Sequence, residues 1–441
     1  MSKSSNILNA AWYAVENITT IAFGLISVII VARVFGPENL GKLSFIQAIS
    51  ATVIFLVVLG LDHIIVRELA KNKTDYNLIF TTVVIQSSGW ISYALIVLLS
   101  MWVINNGSLD TSLIYISISV LISTYFSRAT VIKLFFQAVN QPRKIAISAI
   151  VSRLSALTYL AFALNFDFEY HLVIVFIPIQ SFIQFIMLLL QFIGSNNLKG
   201  HEWKFDIVKA KSVLREALPL IGSSMLFPVF MQGDILLISA ILDDTSTGIY
   251  SSASRLIMQF VFVGHIITMT FYLTLSNKYF QKHNDYEEFL IGLITILFIL
   301  GLGLSIFVYV FSDLIINTLY GYKFVGAEDI LEILCWNWVF IFPAALFSRM
   351  LVLQNLAKFE FIKSLFIAIF SISMNYFFIE RFGISGAAIV SILSYFLADF
   401  LIYAVFKETR HIFKHAITAY LTLIFRPNKA IRYASKTIGS K

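Results

Sequence analysis

Residues 9–45 read NAAWYAVENITTIAFGLISVIIVARVFGPENLGKLSF. From position 17 to position 32 the stretch carries no charged side chain, and it then runs into Arg33 and the turn-forming pair Gly36–Pro37. A membrane-spanning helix needs roughly 20 mostly apolar residues. The apolar run is too long for the core of a signal peptide, so it predicts an uncleaved first transmembrane helix. The short segment around Gly36 then reads as a tight outer turn feeding a returning helix.

The rest of the chain repeats this pattern. Twelve apolar stretches are expected near 8–32, 44–66, 78–103, 113–139, 145–166, 172–193, 218–242, 249–276, 290–311, 331–353, 362–379 and 386–406. The connecting loops are too short to hold a folded domain. Composition agrees. Of 441 residues, 59% are hydrophobic and only 13% charged, whereas soluble domains run at about 25% charged. The single cysteine, Cys335, lies in an apolar run. It permits no internal disulfide and no zinc cluster, and a buried inert thiol is expected.

Lysine and arginine give the orientation. With the N-terminus in the cytoplasm, the outer loops hold only Arg33, Lys42, Lys323 and Arg381. The inner segments hold most of the rest, including the dense basic run from Lys407 to Lys441. This bias places both termini in the cytoplasm. It also accounts for the net charge of +7 as membrane topology rather than nucleic-acid binding. In 205–218, Ile207, Ala210, Leu214 and Ala217 share one helical face opposite Lys209 and Glu216. That pattern predicts a short amphipathic helix on the inner leaflet. The tail segment HAITAYLTLIF is too short to span and is expected to lie on the surface as well.

The two halves resemble each other. Aligning Gly41 with Gly248 superposes VARVFGPENLGKLSF on SAILDDTSTGIYSS, and Gln137 in FFQAVNQPRK corresponds to Gln354 in MLVLQNLAKFEF. Both halves start inside and contain six spans, so the repeat is parallel and its axis lies along the membrane normal. The expected fold is an all-α integral membrane protein of about 12 transmembrane helices in two pseudosymmetric six-helix bundles. The expected divisions are an N-terminal bundle (1–204), a C-terminal bundle preceded by the amphipathic helix (205–406), and a basic cytoplasmic tail (407–441).

Charges at bilayer depth carry the functional information. A basic residue at a helix centre costs roughly 2.5–3.5 kcal/mol on the insertion scale. Arg128, Arg153 and Arg255 are expected to face a water-filled cavity, while Lys133 and Arg349 are expected to snorkel toward the cytoplasm. Among intramembrane acids, Asp62 is expected to pair locally with Arg67. Glu16 joins Asn9, Tyr13 and Thr20 on one face of the first helix, as a cavity wall or as a hydrogen-bonded helix contact. Asp234 is its counterpart in the second half and could pair with Arg255. Gln259 lies one turn from Arg255. His265 is a candidate for proton coupling, weighed against a purely structural role. A basic, aromatic-lined cavity suits an anion with a stackable body, and arginine suits phosphate because its planar fork can bond two oxygens.

Catalytic motifs do not emerge. GPENLGKLS (36–44) nearly spells a phosphate-binding loop, but Leu43 stands where Ser or Thr is needed and no strand precedes it. The paired acids Asp243–Asp244 and Glu287–Glu288 both read as surface turns or loops. No enzyme activity, metal site or cofactor is expected.

The run at 9–45, then LGLDHIIVRELAKNK (59–73) and DDTSTGIYSSASRL (243–256), resemble the O-antigen and polysaccharide-unit flippases of the multidrug/oligosaccharidyl-lipid/polysaccharide exporter superfamily. The resemblance implies a two-bundle transporter in the bacterial cytoplasmic membrane. Its substrate would be an undecaprenyl-pyrophosphate-linked oligosaccharide moved from the inner to the outer leaflet. Membrane lipids, a glycan polymerase and chain-length proteins are the further partners it implies. Basic cavity residues are a feature of the family, carried here to Arg128, Arg153 and Arg255. A multidrug or cation antiporter of the same superfamily is the main rival, and would favour acidic cavity residues. A major-facilitator carrier lacks support in the loop RELAKNKTDYN, and a glycan polymerase or ligase would need larger outer loops.

Overall fold

The structure, a computed structural model, describes residues 3–104, 110–128, 131–195 and 203–439. These residues form helices joined by turns, with no strand among them. Two compact units divide the chain, residues 1–232 and 233–441.

The first unit contains α1 (Lys3–Val53), α2 (Phe55–Val58), α3 (Leu61–Lys71), α4 (Tyr76–Ile104), α5 (Thr111–Arg128), α6 (Val131–Ala138), α7 (Pro142–Asn165), α8 (Tyr170–Val173) and α9 (Phe176–Ser195). Helix α10 (Ile207–Ile241) crosses the division. The second unit continues with α11 (Asp244–Gln259), α12 (Val261–Phe280), α13 (Tyr286–Leu319), α14 (Ala327–Leu334), α15 (Trp338–Leu353), α16 (Lys358–Phe396), α17 (Ile402–Val405), α18 (Arg410–Phe425) and α19 (Pro427–Gly439).

Nine helical stretches among the described residues are long and apolar enough to cross a membrane. The expected spans 8–32 and 44–66 fall together in Ala11–Lys71, and 362–379 and 386–406 fall together in Lys358–Val405. The expected span 218–242 is part of α10, where the apolar stretch Pro228–Ile241 is shorter. The 61 residues of Ala11–Lys71 would extend about 90 Å as one straight helix, about three times the hydrocarbon thickness. The chain breaks instead at Gly36 (φ 82°, ψ −178°). That backbone conformation is essentially restricted to glycine, and Pro37, with its fixed φ, starts the next helical segment. A non-helical Gly383 interrupts α16 in the same way. A further break at Leu59–Gly60, both left-handed, separates α2 from α3.

In the first unit, α7 packs on α9 and on α1, and α1 packs on α5. Gly89 of α4 lies so close to α2 that a Cβ built on it would collide with the Leu56 carbonyl oxygen. Backbone cannot yield there as a flexible side chain would. Gly89→Ala is therefore expected to destabilise the protein by about 2 kcal/mol, read as a lower melting temperature in detergent.

The 205–218 segment differs from expectation. Ala210, Val213 and Ala217 are buried in a cluster with Leu61, Ile64 and Ile65 of α3, Leu78 of α4, Phe135 of α6 and Phe192 of α9. The face expected to meet lipid is thus packed against protein, while Ile207 and Val208 remain exposed. Periodicity defined the amphipathic helix but not what it meets. Polar ties fix the segment: Lys209 Nζ meets Asp75 at 2.6 Å, and Arg67 meets the Glu216 carboxylate at 2.6 and 2.8 Å. The hydrogen bonds from Arg67 hold the Glu216 carboxyl below the usual range.

In the second unit, α13 packs with α15, α14, α18 and α19. Trp338 is buried and donates from Nε1 to the Ile257 carbonyl at 2.9 Å. Cys335 is buried and its thiol donates to the Glu332 carbonyl. The tail forms a helical pair, α18 and α19, packed on α13. Tyr420 of α18 stacks on Phe400 and meets Phe298 at a tilt. Lys436 of α19 pairs with Glu288 at 2.9 Å.

Candidate functional site

Helix α1 carries a polar stripe because Tyr13, Glu16, Asn17 and Thr20 recur at helical spacing on one side. In the structure this stripe forms one wall of a cavity of about 790 Å³ in the first unit. Other walls are Asp62, His63 and Val66 of α3, Lys133 and Gln137 of α6, Arg153 of α7 and Gln184 of α9. The break at Leu59–Gly60 precedes Asp62 and His63, so α3 starts beside the cavity and presents both side chains to it.

One cation contacts Glu16 and a second is held nearby. Lys133 Nζ lies 2.9 Å from Glu16 Oε1, and the Glu16 side chain is only 11% exposed. Arg153 is 6% exposed. Its Nη2 donates to Thr20 Oγ1 at 2.6 Å, and Thr20 in turn donates to the Glu16 backbone carbonyl at 2.6 Å. Arg153 also feels the Glu16 charge directly. Its Nη1 is buried and makes no hydrogen bond. A buried donor left without an acceptor costs about 1–3 kcal/mol, and buried polar atoms of this kind occur where a ligand or water completes the site.

The candidate residues divide between the units. Arg153 and Glu16 come together, and the α1 stripe proves to be cavity wall through Tyr13, Glu16 and Thr20. Lys133, expected to snorkel, turns inward to Glu16. Asp62, expected beside Arg67, lines the cavity, while Arg67 pairs with Glu68 and Glu216. The Arg128 side chain lies outside the described residues. Arg255 lies on α11 in the second unit, half-buried near Tyr320, with Gln259 at the end of the same helix. Asp234 is held by Tyr250 Oη at 2.6 Å and Asn375 Nδ2 at 2.7 Å, in place of the expected Arg255. His265 is exposed on α12, with Arg349 as its charged neighbour.

Sequence reasoning missed Gln137, Gln184 and the inward role of Lys133. The spacing of Lys133 and Gln137, one turn apart on α6, was a usable signal. Gln184 offered none. The cavity is also less one-sidedly basic than expected, since Glu16 and Asp62 accompany Lys133 and Arg153.

The second unit holds a separate buried charge cluster. Lys363 Nζ lies 3.0 Å from Asp399 and 3.0 Å from Glu360. Asp399 sits in the π-helical turn Leu397–Leu401.

Long apolar helices and a polar cavity walled by α1, α3, α6, α7 and α9 define a multi-pass, all-helical membrane protein. The sequence profile of the family described as "Polysaccharide biosynthesis protein" matches residues 7–272, and the chain belongs to that family. It is similar to the capsular polysaccharide biosynthesis protein CapF of Staphylococcus aureus, 19% identical over 404 residues, covering 91% of this chain and 99% of CapF. Its fold is similar to that of the lipid II flippase MurJ in an inward closed conformation, with TM-score 0.71 and 16% identity, covering 98% of this chain and 97% of MurJ. It is also similar to an inward-facing multidrug-resistance MATE transporter of the MOP superfamily, with TM-score 0.70 and 14% identity over 91% of this chain and 96% of the other.

Proposed function

We propose that this protein flips an undecaprenyl-pyrophosphate-linked oligosaccharide from the inner to the outer leaflet of the bacterial cytoplasmic membrane, by alternating access. In this reading the chain crosses twelve times as two pseudosymmetric six-helix halves. The stretches broken at Gly36 and Gly383 each cross twice, α10 supplies one crossing, and both termini are cytoplasmic. The carrying observation is the buried Arg153 guanidinium, with Nη1 uncommitted, in a roomy polar cavity. Guanidinium suits a pyrophosphate oxygen, and Asn17, Gln137 and Gln184 offer amide groups that suit sugar hydroxyls. The polyprenyl tail would stay in lipid. A glycan polymerase and chain-length proteins would act on the product.

Glu16 and Asp62 in the same cavity favour the second reading, a cation or multidrug antiporter. Deletion of the gene distinguishes the two. The expected result is loss of surface glycan with accumulation of a lipid-linked oligosaccharide on the inner leaflet. Altered drug sensitivity with normal glycans would establish the antiporter instead. Alanine at Arg128, Arg153 or Arg255, one at a time, is expected to impair glycan display while the protein stays in the membrane. Full display in all three variants would remove these residues from the transport path.

A further inference from the structure

The cavity contains an arrangement that a simple basic vestibule does not need. A carboxylate, Glu16, lies against Lys133 at 2.9 Å and within the field of Arg153. Glu16 and Arg153 are both buried, at 9% and 6% exposure. One anionic side chain therefore occupies the place where an incoming anion would find two cations. Arg153 is held from one side by Thr20 and keeps Nη1 uncommitted. Lys133, by contrast, contacts Glu16 and is the more exposed of the pair, at 33%.

We propose that Glu16 is a resident counter-ion that an anionic phosphate group displaces from Lys133 when it binds, taking Lys133 from it and meeting the uncommitted edge of Arg153. This inference rests on the cavity being the head-group site. Physically, the buried Arg153 and the partly buried Lys133 are costly to hold near each other with no anion beside them. Glu16 offsets part of that positive charge while the site is empty. An anion that enters must outcompete a carboxylate already in contact, so binding is weakened and release is assisted. A transporter needs that balance, because a head group held too tightly is not delivered. Asp62 and His63 of α3 line the same cavity. Glu16 thus sets how tightly the phosphate is held, without being a ligand to it.

The test uses the purified full-length protein in lipid nanodiscs, titrated with inorganic pyrophosphate and read by calorimetry. Glu16→Gln is expected to bind pyrophosphate about tenfold more tightly than the parent, equivalent to about 1.4 kcal/mol, and to turn over more slowly in cells. The gain should vanish in Glu16→Gln/Lys133→Gln, because the released ammonium is its source. Binding detectable only in Glu16→Gln supports the same conclusion. Unchanged or weaker binding in Glu16→Gln, with Arg153→Gln still weakening it, rejects the counter-ion role and leaves the cavity assignment standing. No binding in the parent or in Glu16→Gln, together with normal glycan display by Arg153→Gln, rejects the cavity assignment itself. If Glu16→Gln does not fold, Glu16→Asp replaces it. The shorter acid must then tighten binding by a smaller factor, and equal affinity overturns the proposal.

Discussion

Arg153→Gln is expected to reduce surface glycan between tenfold and a hundredfold while membrane abundance stays at the parental level. The guanidinium is 6% exposed and anchored by Thr20, so its position in the cavity is fixed before any ligand arrives. A hydrogen bond to a charged group contributes about 1.5–3 kcal/mol, and about 1.4 kcal/mol corresponds to a factor of ten. Glutamine keeps a donor for Thr20 but removes the charge and the second edge. Arg153→Lys is expected to recover little, because one ammonium cannot serve Thr20 and a phosphate oxygen in the same fork geometry. Quantifying glycan on intact cells beside an immunoblot of the membrane fraction decides the matter. Loss of the protein together with the glycan would indicate a folding role.

The second large effect is on stability. Lys363 and Asp399 form an ion pair with side chains 9% and 10% exposed. Removing one partner of such a pair leaves a buried charge uncompensated and costs about 3–5 kcal/mol. Lys363→Met is therefore expected to unfold at markedly lower temperature in detergent. Lys363→Met/Asp399→Leu should recover most of the loss, since an apolar pair of similar volume is often neutral or better. An equally unstable double variant would show that the π-helical turn at Leu397–Leu401 depends on the carboxylate for more than charge pairing.

Particular residues show what could be read without coordinates. The membrane class followed from the long apolar runs, and the turn at Gly36–Pro37 was legible because only glycine accepts that backbone angle while proline starts a helix. The α1 stripe was legible because helical period alone puts Tyr13, Glu16 and Thr20 on one side. The inward turn of Lys133 was not. A lysine near a helix end can reach either water or an acid, and sequence does not tell which acid stands opposite. Asp62 was assigned to its neighbour Arg67 by proximity along the chain, but the break at Leu59–Gly60 starts a new helix just before it and aims it elsewhere. The amphipathic segment in α10 failed for a related reason, since an apolar face reports that something covers it but not whether lipid or protein does so.

The clasp of α19 on α13, through Lys436 and Glu288 and the buried Thr437, has a consequence for biosynthesis. About 100 residues separate the end of α13 from the start of α19, so during synthesis α13 waits for the helix that covers it. Until Pro427–Gly439 docks, the start of α13 stays open to whatever else can pack there.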